Sequence, residues 1–183
     1  MSFSLLAPDF ALELIEQSGL LLEALRKADA KLVTAESCTG GLVAALLTHH
    51  AGSSDVTEGG LVTYSNSMKR SVLGVGTATL QKFGAVSAET VREMAAGALG
   101  VAQDATHSVS VSGIAGPGGG SADKPVGLVW FGTAVRDGDV QADFRIFKGD
   151  RTAIRSQAAM HALNLVLQRV WLTSSYIKRA LEG

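Results

Sequence analysis

Lys31-Leu-Val-Thr-Ala-Glu36 reads as a short strand that runs through Ser37-Cys-Thr-Gly-Gly41 straight into a helical stretch, Leu42 to His50. The same hand-over recurs where Gly60-Leu-Val-Thr-Tyr64 passes into a helical Ser65 to Leu73. Ser87 is suited to cap a helix from Ala88 to about Val101, with Glu89 and Glu93 in its N-terminal half and alanines for close packing on a flat partner. Thr106-His-Ser-Val-Ser-Val-Ser112 alternates with period two and predicts another strand. Val126 to Val135 and Gln141 to Phe147 read as two more, joined through Asp137-Gly138, a strong hairpin signal. Strands alternating with helices and then a hairpin predict an α/β fold: a three-layer α/β/α sandwich. Its sheet is mixed and mostly parallel, of about five strands, one of them antiparallel.

Two helices frame these units. Pro8 to Ala30 carries a leucine stripe interrupted by Gly19, which costs on the order of 1 kcal/mol against alanine. The last helix starts near Asp150, a suitable cap, and runs to about Leu172, with Thr173 to Gly183 expected as a frayed extension. The length of 183 residues suits one domain, 1–183, and 46% apolar with 18% charged residues is enough for a sizeable core. Sixteen basic against seventeen acidic residues leave a formal net charge of −1, so no field for general nucleic-acid binding is expected. No apolar run reaches the roughly 18 residues of a membrane span, and Met1 to Phe10 lacks the pattern of a signal peptide. The single cysteine, Cys38, excludes an internal disulfide and a cysteine-cluster metal site. A cytoplasmic protein without metal or cofactor is the expectation. An Ala- and Leu-rich first helix could pack across a two-fold axis of a homo-oligomer or cover its own sheet.

Three segments could carry chemistry. In open α/β sheets ligands bind at the carboxyl ends of strands, where the next helix presents unpaired N–H groups. Ser37, Cys38, Thr39, Gly40 and Gly41 sit at such a place; on this segment alone, a capped helix start with Ser37 or Thr39 as cap is the favoured explanation. Tyr64 and Lys69 flank the second junction, with Asn66 between, and both side chains can point into one crevice; by itself Lys69 reads as a surface charge. The Gly113–Pro125 loop exposes many backbone amides but matches neither a P-loop nor a dinucleotide fingerprint. Without its neighbours it is a surface loop, and Gly74-Val-Gly76 is a chance spacing. His49, His50, His107 and His161 lack metal-ligand spacing. Arg145, Arg151 and Arg155 could bind a phosphate, with ion pairs to Asp150 or Asp143 as the commoner use. Cys38 has no histidine partner nearby and reads as a small buried residue.

Taken together, Thr34-Ala-Glu-Ser-Cys-Thr-Gly-Gly41, Val62-Thr-Tyr-Ser-Asn66 with Lys69, Gly84-Ala-Val-Ser87, Ser112-Gly-Ile-Ala-Gly-Pro117 with Lys124-Pro-Val-Gly127, and Gly149-Asp-Arg151 resemble the CinA C-terminal domain. This is the nicotinamide-nucleotide amidohydrolase (NMN deamidase) family, and the resemblance covers about Leu12 to Arg169 in what looks like its stand-alone form. It implies hydrolysis of the carboxamide of nicotinamide mononucleotide to nicotinic acid mononucleotide and ammonia, without metal or cofactor. It places the catalytic serine, tyrosine and lysine on Ser37, Tyr64 and Lys69. Substrate contacts are then expected from Cys38, Thr39, Gly40, Gly41, Asn66, Gly113, Ile114, Ala115, Gly116 and Arg145. With no histidine to serve, a neutral Lys69 is the base for Ser37, amides from Ser37 to Gly41 hold the oxyanion, and Tyr64 relays the proton to ammonia. Some members carry only competence- or damage-inducible names, so a non-catalytic nucleotide-binding or interaction module is the alternative reading. A serine amidase for another small amide is a third.

Overall fold

The computed structural model describes residues 10–174. In chain order these form α1 (Leu12–Lys27), β1 (Leu32–Glu36), α2 (Leu42–Thr48), a 3-10 turn (Ser53–Asp55), β2 (Thr57–Val62), α3 (Asn66–Leu73), α4 (Thr77–Phe83), α5 (Ala88–Val101), β3 (His107–Gly113), β4 (Leu128–Val135), β5 (Val140–Ile146) and α6 (Arg151–Thr173). One five-stranded sheet has the order β2-β1-β3-β4-β5. β1 pairs parallel with β2 and β3, and β4 runs antiparallel to both its neighbours. The three-layer, mixed-sheet expectation is met. α4 and the 3-10 turn escaped the sequence reading, and Gly74-Val-Gly76 turns out to be the α3–α4 connection. The expected frayed tail beyond Ser174 and the reading of residues 1–9 lie outside the described residues.

Each face of the sheet has its own apolar layer. On one, α1, α2 and α6 pack leucines and alanines against Val109, Val111, Val129 and Phe131. α1 buries Leu14, Leu21, Leu22 and Leu25 among its own chain's helices, so its stripe covers the fold. Gly19 has a reason: a Cβ there would stand 3.2 Å from the His50 ring, which bonds the Ser18 hydroxyl at 2.8 Å.

The other face is closed by α5, and here the period-two strand explains the packing. Ser108, Ser110 and Ser112 donate from β3 to the carbonyls of Ala95, Val91 and Ala85 at 2.7, 2.6 and 2.8 Å. Short hydroxyl side chains let the helix lie close while satisfying their own buried polarity. Closeness is enforced at Gly132 of β4, where a Cβ would meet the Val91 carbonyl oxygen at 2.2 Å.

At the opposite end of β3, His107 is buried and bonds the hydroxyls of Thr106 and Thr173. Burial, with Arg169 nearby, lowers its pKa from 6.5 to about 4. The unfolded chain therefore takes up this proton first, so the contribution of neutral His107 is complete above pH 6.5 and drains away as pH falls toward 4. The expected result is that His107→Gln removes part of the acid-side slope between those values, on the order of 1 kcal/mol per pH unit. Denaturant titrations of both proteins at pH 7, 5.5 and 4.5 check it.

Candidate active site

Because β1 and β2 run parallel in the register Glu36↔Val62, their carboxyl ends open side by side. The chain crosses to β2 on one side of β1 and to β3 on the other, so the crevice lies at a topological switch point. Both ladders continue past the strands: Ser37 N–H donates to Val111 O at 2.9 Å, and Thr63 N–H to Glu36 O at 2.8 Å. Ser37 is thereby held on the sheet's rim, next to the segment that turns into α3. Ser65 caps α3 by accepting from the Met68 amide at 3.2 Å, and this first turn swings Lys69 back beneath the rim.

Lys69 is not the surface charge that its position alone suggested; it is 1% exposed. Its Nζ donates to Ser37 Oγ at 2.9 Å, to the Thr63 carbonyl at 2.8 Å and to the Tyr64 carbonyl at 3.2 Å. Burial lowers its pKa from 10.5 to about 8. A buried amine meeting only oxygens of neutral groups is easily discharged, and then has a lone pair to offer the Ser37 hydroxyl. Cys38, by contrast, is buried with its thiol pushed up to about 11 by desolvation, which leaves it a packing residue.

Tyr64 joins this pair through its backbone only. Its side chain is 64% exposed, and its hydroxyl lies 3.5 Å from the Arg151 guanidinium. Two residues past the end of β2, the Tyr64 side chain faces outward while its carbonyl turns in, which spacing along the chain does not reveal.

The helix start after Ser37 is occupied in a way the sequence reading missed. Glu36, fully buried, accepts the amides of Gly41, Val43 and Ala44 at 3.0, 3.1 and 2.8 Å, and the Thr34 hydroxyl at 3.2 Å. Neither Ser37 nor Thr39 caps α2. The Gly40 amide is taken by the Ser37 carbonyl at 3.0 Å. Of the amides expected to face an oxyanion, only those of Cys38 and Thr39 lack an acceptor among the described residues. The signal was present: an acid ending a strand whose neighbours are all apolar or small, five residues before a glycine pair member that begins a helix. Gly40 and Gly41 serve the turn with φ of 63° and 92°.

The other expected contacts divide. Gly113 closes β3 against β4, and Ile114 exchanges backbone bonds with Leu128 and Gly127, so both extend the sheet. Ala115 and Gly116 are buried, and the Gly116 carbonyl accepts from Arg151 at 2.9 Å. Asn66 is exposed at the start of α3. Arg145 lies on the edge strand β5, separated from β1 by β3 and β4, and pairs with Asp143 at 2.9 Å, so the structure does not bring it to the Ser37–Lys69 pair. The arginines at the crevice are Arg151 and Arg155, from the first turns of α6. Arg155 donates to the Thr39 carbonyl at 2.7 Å, and neither pairs with a carboxylate among the described residues. The Gly/Pro loop is tethered near its far end, where Lys124 Nζ donates to the carbonyls of Phe83 and Val86 at 2.7 and 2.8 Å.

Known proteins resemble this chain in sequence and in fold. The chain is 55% identical over 134 residues to the nicotinamide-nucleotide amidohydrolase PncC of Enterobacter agglomerans, covering 73% of this chain and 81% of the relative. It is 49% identical over 157 residues to the protein of that name from Escherichia coli K12, covering 86% and 94%. The crystal structure of the competence/damage inducible protein CihA from Agrobacterium tumefaciens superimposes with a TM-score of 0.84 at 45% identity, covering 88% of this chain and 98% of that one. Residues 15–170 match the description of the CinA C-terminal domain, and the chain belongs to that family.

Proposed function

We propose that the protein hydrolyses the carboxamide of nicotinamide mononucleotide, with Ser37 as nucleophile and Lys69 as its base. The observation that carries this reading is the buried 2.9 Å contact between Lys69 Nζ and Ser37 Oγ, with no carboxylate of the described residues on the amine. The names of the relatives at 49–55% identity point to the same substrate class.

Neutral Lys69 takes the Ser37 proton as Oγ bonds to the carboxamide carbon. The amides of Cys38 and Thr39 receive the developing oxyanion. The C–N bond then breaks, and the lysine ammonium returns its proton to the departing ammonia. Water, deprotonated by the same amine, attacks the acyl-serine; the ester C–O bond breaks to give the carboxylate, and Lys69 returns the proton to Ser37 Oγ. Lys69 serves in both directions, a duty first given to Tyr64, because the Tyr64 hydroxyl stands at the mouth beside Arg151. There the tyrosine face suits a cationic pyridinium ring, and Arg151 with Arg155 suits the 5′-phosphate. A bound pyridinium also disfavours charge on Lys69, helping to create the base.

Incubation with nicotinamide mononucleotide tests the reading directly: ammonia and the acid nucleotide are expected in equal amounts at steady state. Nicotinamide riboside, nicotinamide and glutamine should be much poorer substrates. With a base of pKa about 8, kcat/KM should rise about tenfold per pH unit up to pH 8 and then level. Stoichiometric binding without ammonia would favour the binding module, and a flat profile from pH 6 to 9 would remove Lys69 as base.

A further inference from the structure

Ser37 and Thr39 are the residues an ordinary helix start would use as caps, yet both hydroxyls leave the amides of α2 alone. Glu36 does that work from outside, reaching forward from the end of β1 with both carboxylate oxygens. Oε2 takes the Gly41 and Val43 amides, and Oε1 takes the Ala44 amide and the Thr34 hydroxyl. All four neighbours are donors, and the residue is fully buried. Two consequences meet at the next residue. The Ser37 hydroxyl is released to Lys69. The segment between the carboxylate and its Gly41 contact is pinned at both ends, through the Val111 carbonyl at Ser37 and the carboxylate at Gly41, with Gly40 and Gly41 in left-handed conformations.

We infer that Glu36 is a positioning residue for the deamidation, fixing the Ser37–Gly41 turn so that Oγ and the Cys38 and Thr39 amides stand at one carbonyl. This rests on the amidohydrolase reading of the same site. Glu36 neither bonds Lys69 nor faces the opening, so its effect passes through backbone position alone.

The test compares Glu36→Gln and Glu36→Asp with wild type. Glutamine keeps the shape, but its NH2 must face at least one of the N–H groups now bonded. Aspartate keeps the charge, but retracts it by one methylene from Val43 and Ala44. A displacement of the order of an ångström at a reacting centre costs about 100-fold. The expected result in both folded variants is a kcat lowered about 10- to 100-fold with KM within about threefold. Labelling of Ser37 by an alkyl fluorophosphonate, followed by mass spectrometry, should slow by the same factor, with its pH midpoint still near 8. A cap that only stabilised α2 would lower the melting temperature and leave these ratios alone. Values of kcat and labelling within twofold of wild type in either folded variant overturn the inference, as does a moved pH midpoint. Should the glutamine variant not fold, the aspartate variant decides. Because labelling reads Ser37 directly, a wild type that released no ammonia would refute the deamidase reading while the labelling ratio still decided on Glu36.

Discussion

Ser37→Ala is expected to lower ammonia release from nicotinamide mononucleotide by about 10⁴-fold or more, the scale seen when an enzyme loses its nucleophile. The change removes one oxygen at a site that is 8% exposed. The backbone bond from Ser37 N–H to Val111 O does not depend on it. The fold should therefore persist, with a far-ultraviolet spectrum and melting temperature near those of wild type. Nucleotide binding should survive as well, since Arg151, Arg155 and Tyr64 are untouched. Calorimetry on the alanine protein separates the two losses. A variant that still released ammonia within tenfold of wild type would show that water attacks the carboxamide directly and that no acyl-serine forms.

Lys69→Met should be almost as severe, about 10³- to 10⁴-fold in kcat, because general-base help is worth about 10² to 10⁴ and the same amine must also protonate ammonia. Its stability should move the other way. The folded chain holds this amine at a pKa of about 8, against 10.5 in an unfolded chain, through burial. Folding thus disfavours the charged form, and the penalty is fully present below pH 8 and fades as pH rises toward 10.5. Methionine removes it but leaves the Thr63 and Tyr64 carbonyls without a donor, so the two changes largely offset each other. The melting temperature at pH 7 is expected at or above that of wild type, and a melt at pH 10 should show a smaller advantage. An inactive Met variant with a collapsed melting temperature would recast Lys69 as a structural cation.

Most of the architecture was legible because it rests on local patterns. The strand period of Thr106–Ser112, the caps at Ser87 and Asp150 and the Asp137-Gly138 hairpin each commit a segment with little reference to the rest. The boundaries of α5 match the expectation residue for residue. Lys69 shows where that logic stops. A lysine three positions into a helix reads as solvated, and only the neighbouring parallel strand, folded beside it, covers the amine. Glu36 fails for the same reason, since a carboxylate at the end of a strand gains its partners from the next helix. Arg145 and Arg151 stand six residues apart in the sequence, and only the sheet order puts β5, which carries Arg145, far from β1. Tyr64 depended on which way one residue faces in the short connection between β2 and α3, which the strand pattern does not fix.

The clamp that Lys124 places on the Phe83 and Val86 carbonyls reaches beyond stability. With the loop tethered there and Arg151 hooked to Gly116, the crevice of the proposed amidohydrolase should spend little freedom when a nucleotide enters. Recognition should thus behave as a rigid mould, in which ligands of altered outline dissociate quickly instead of reshaping their host. Cutting the tether should broaden the range of amides accepted and slow the turnover of each.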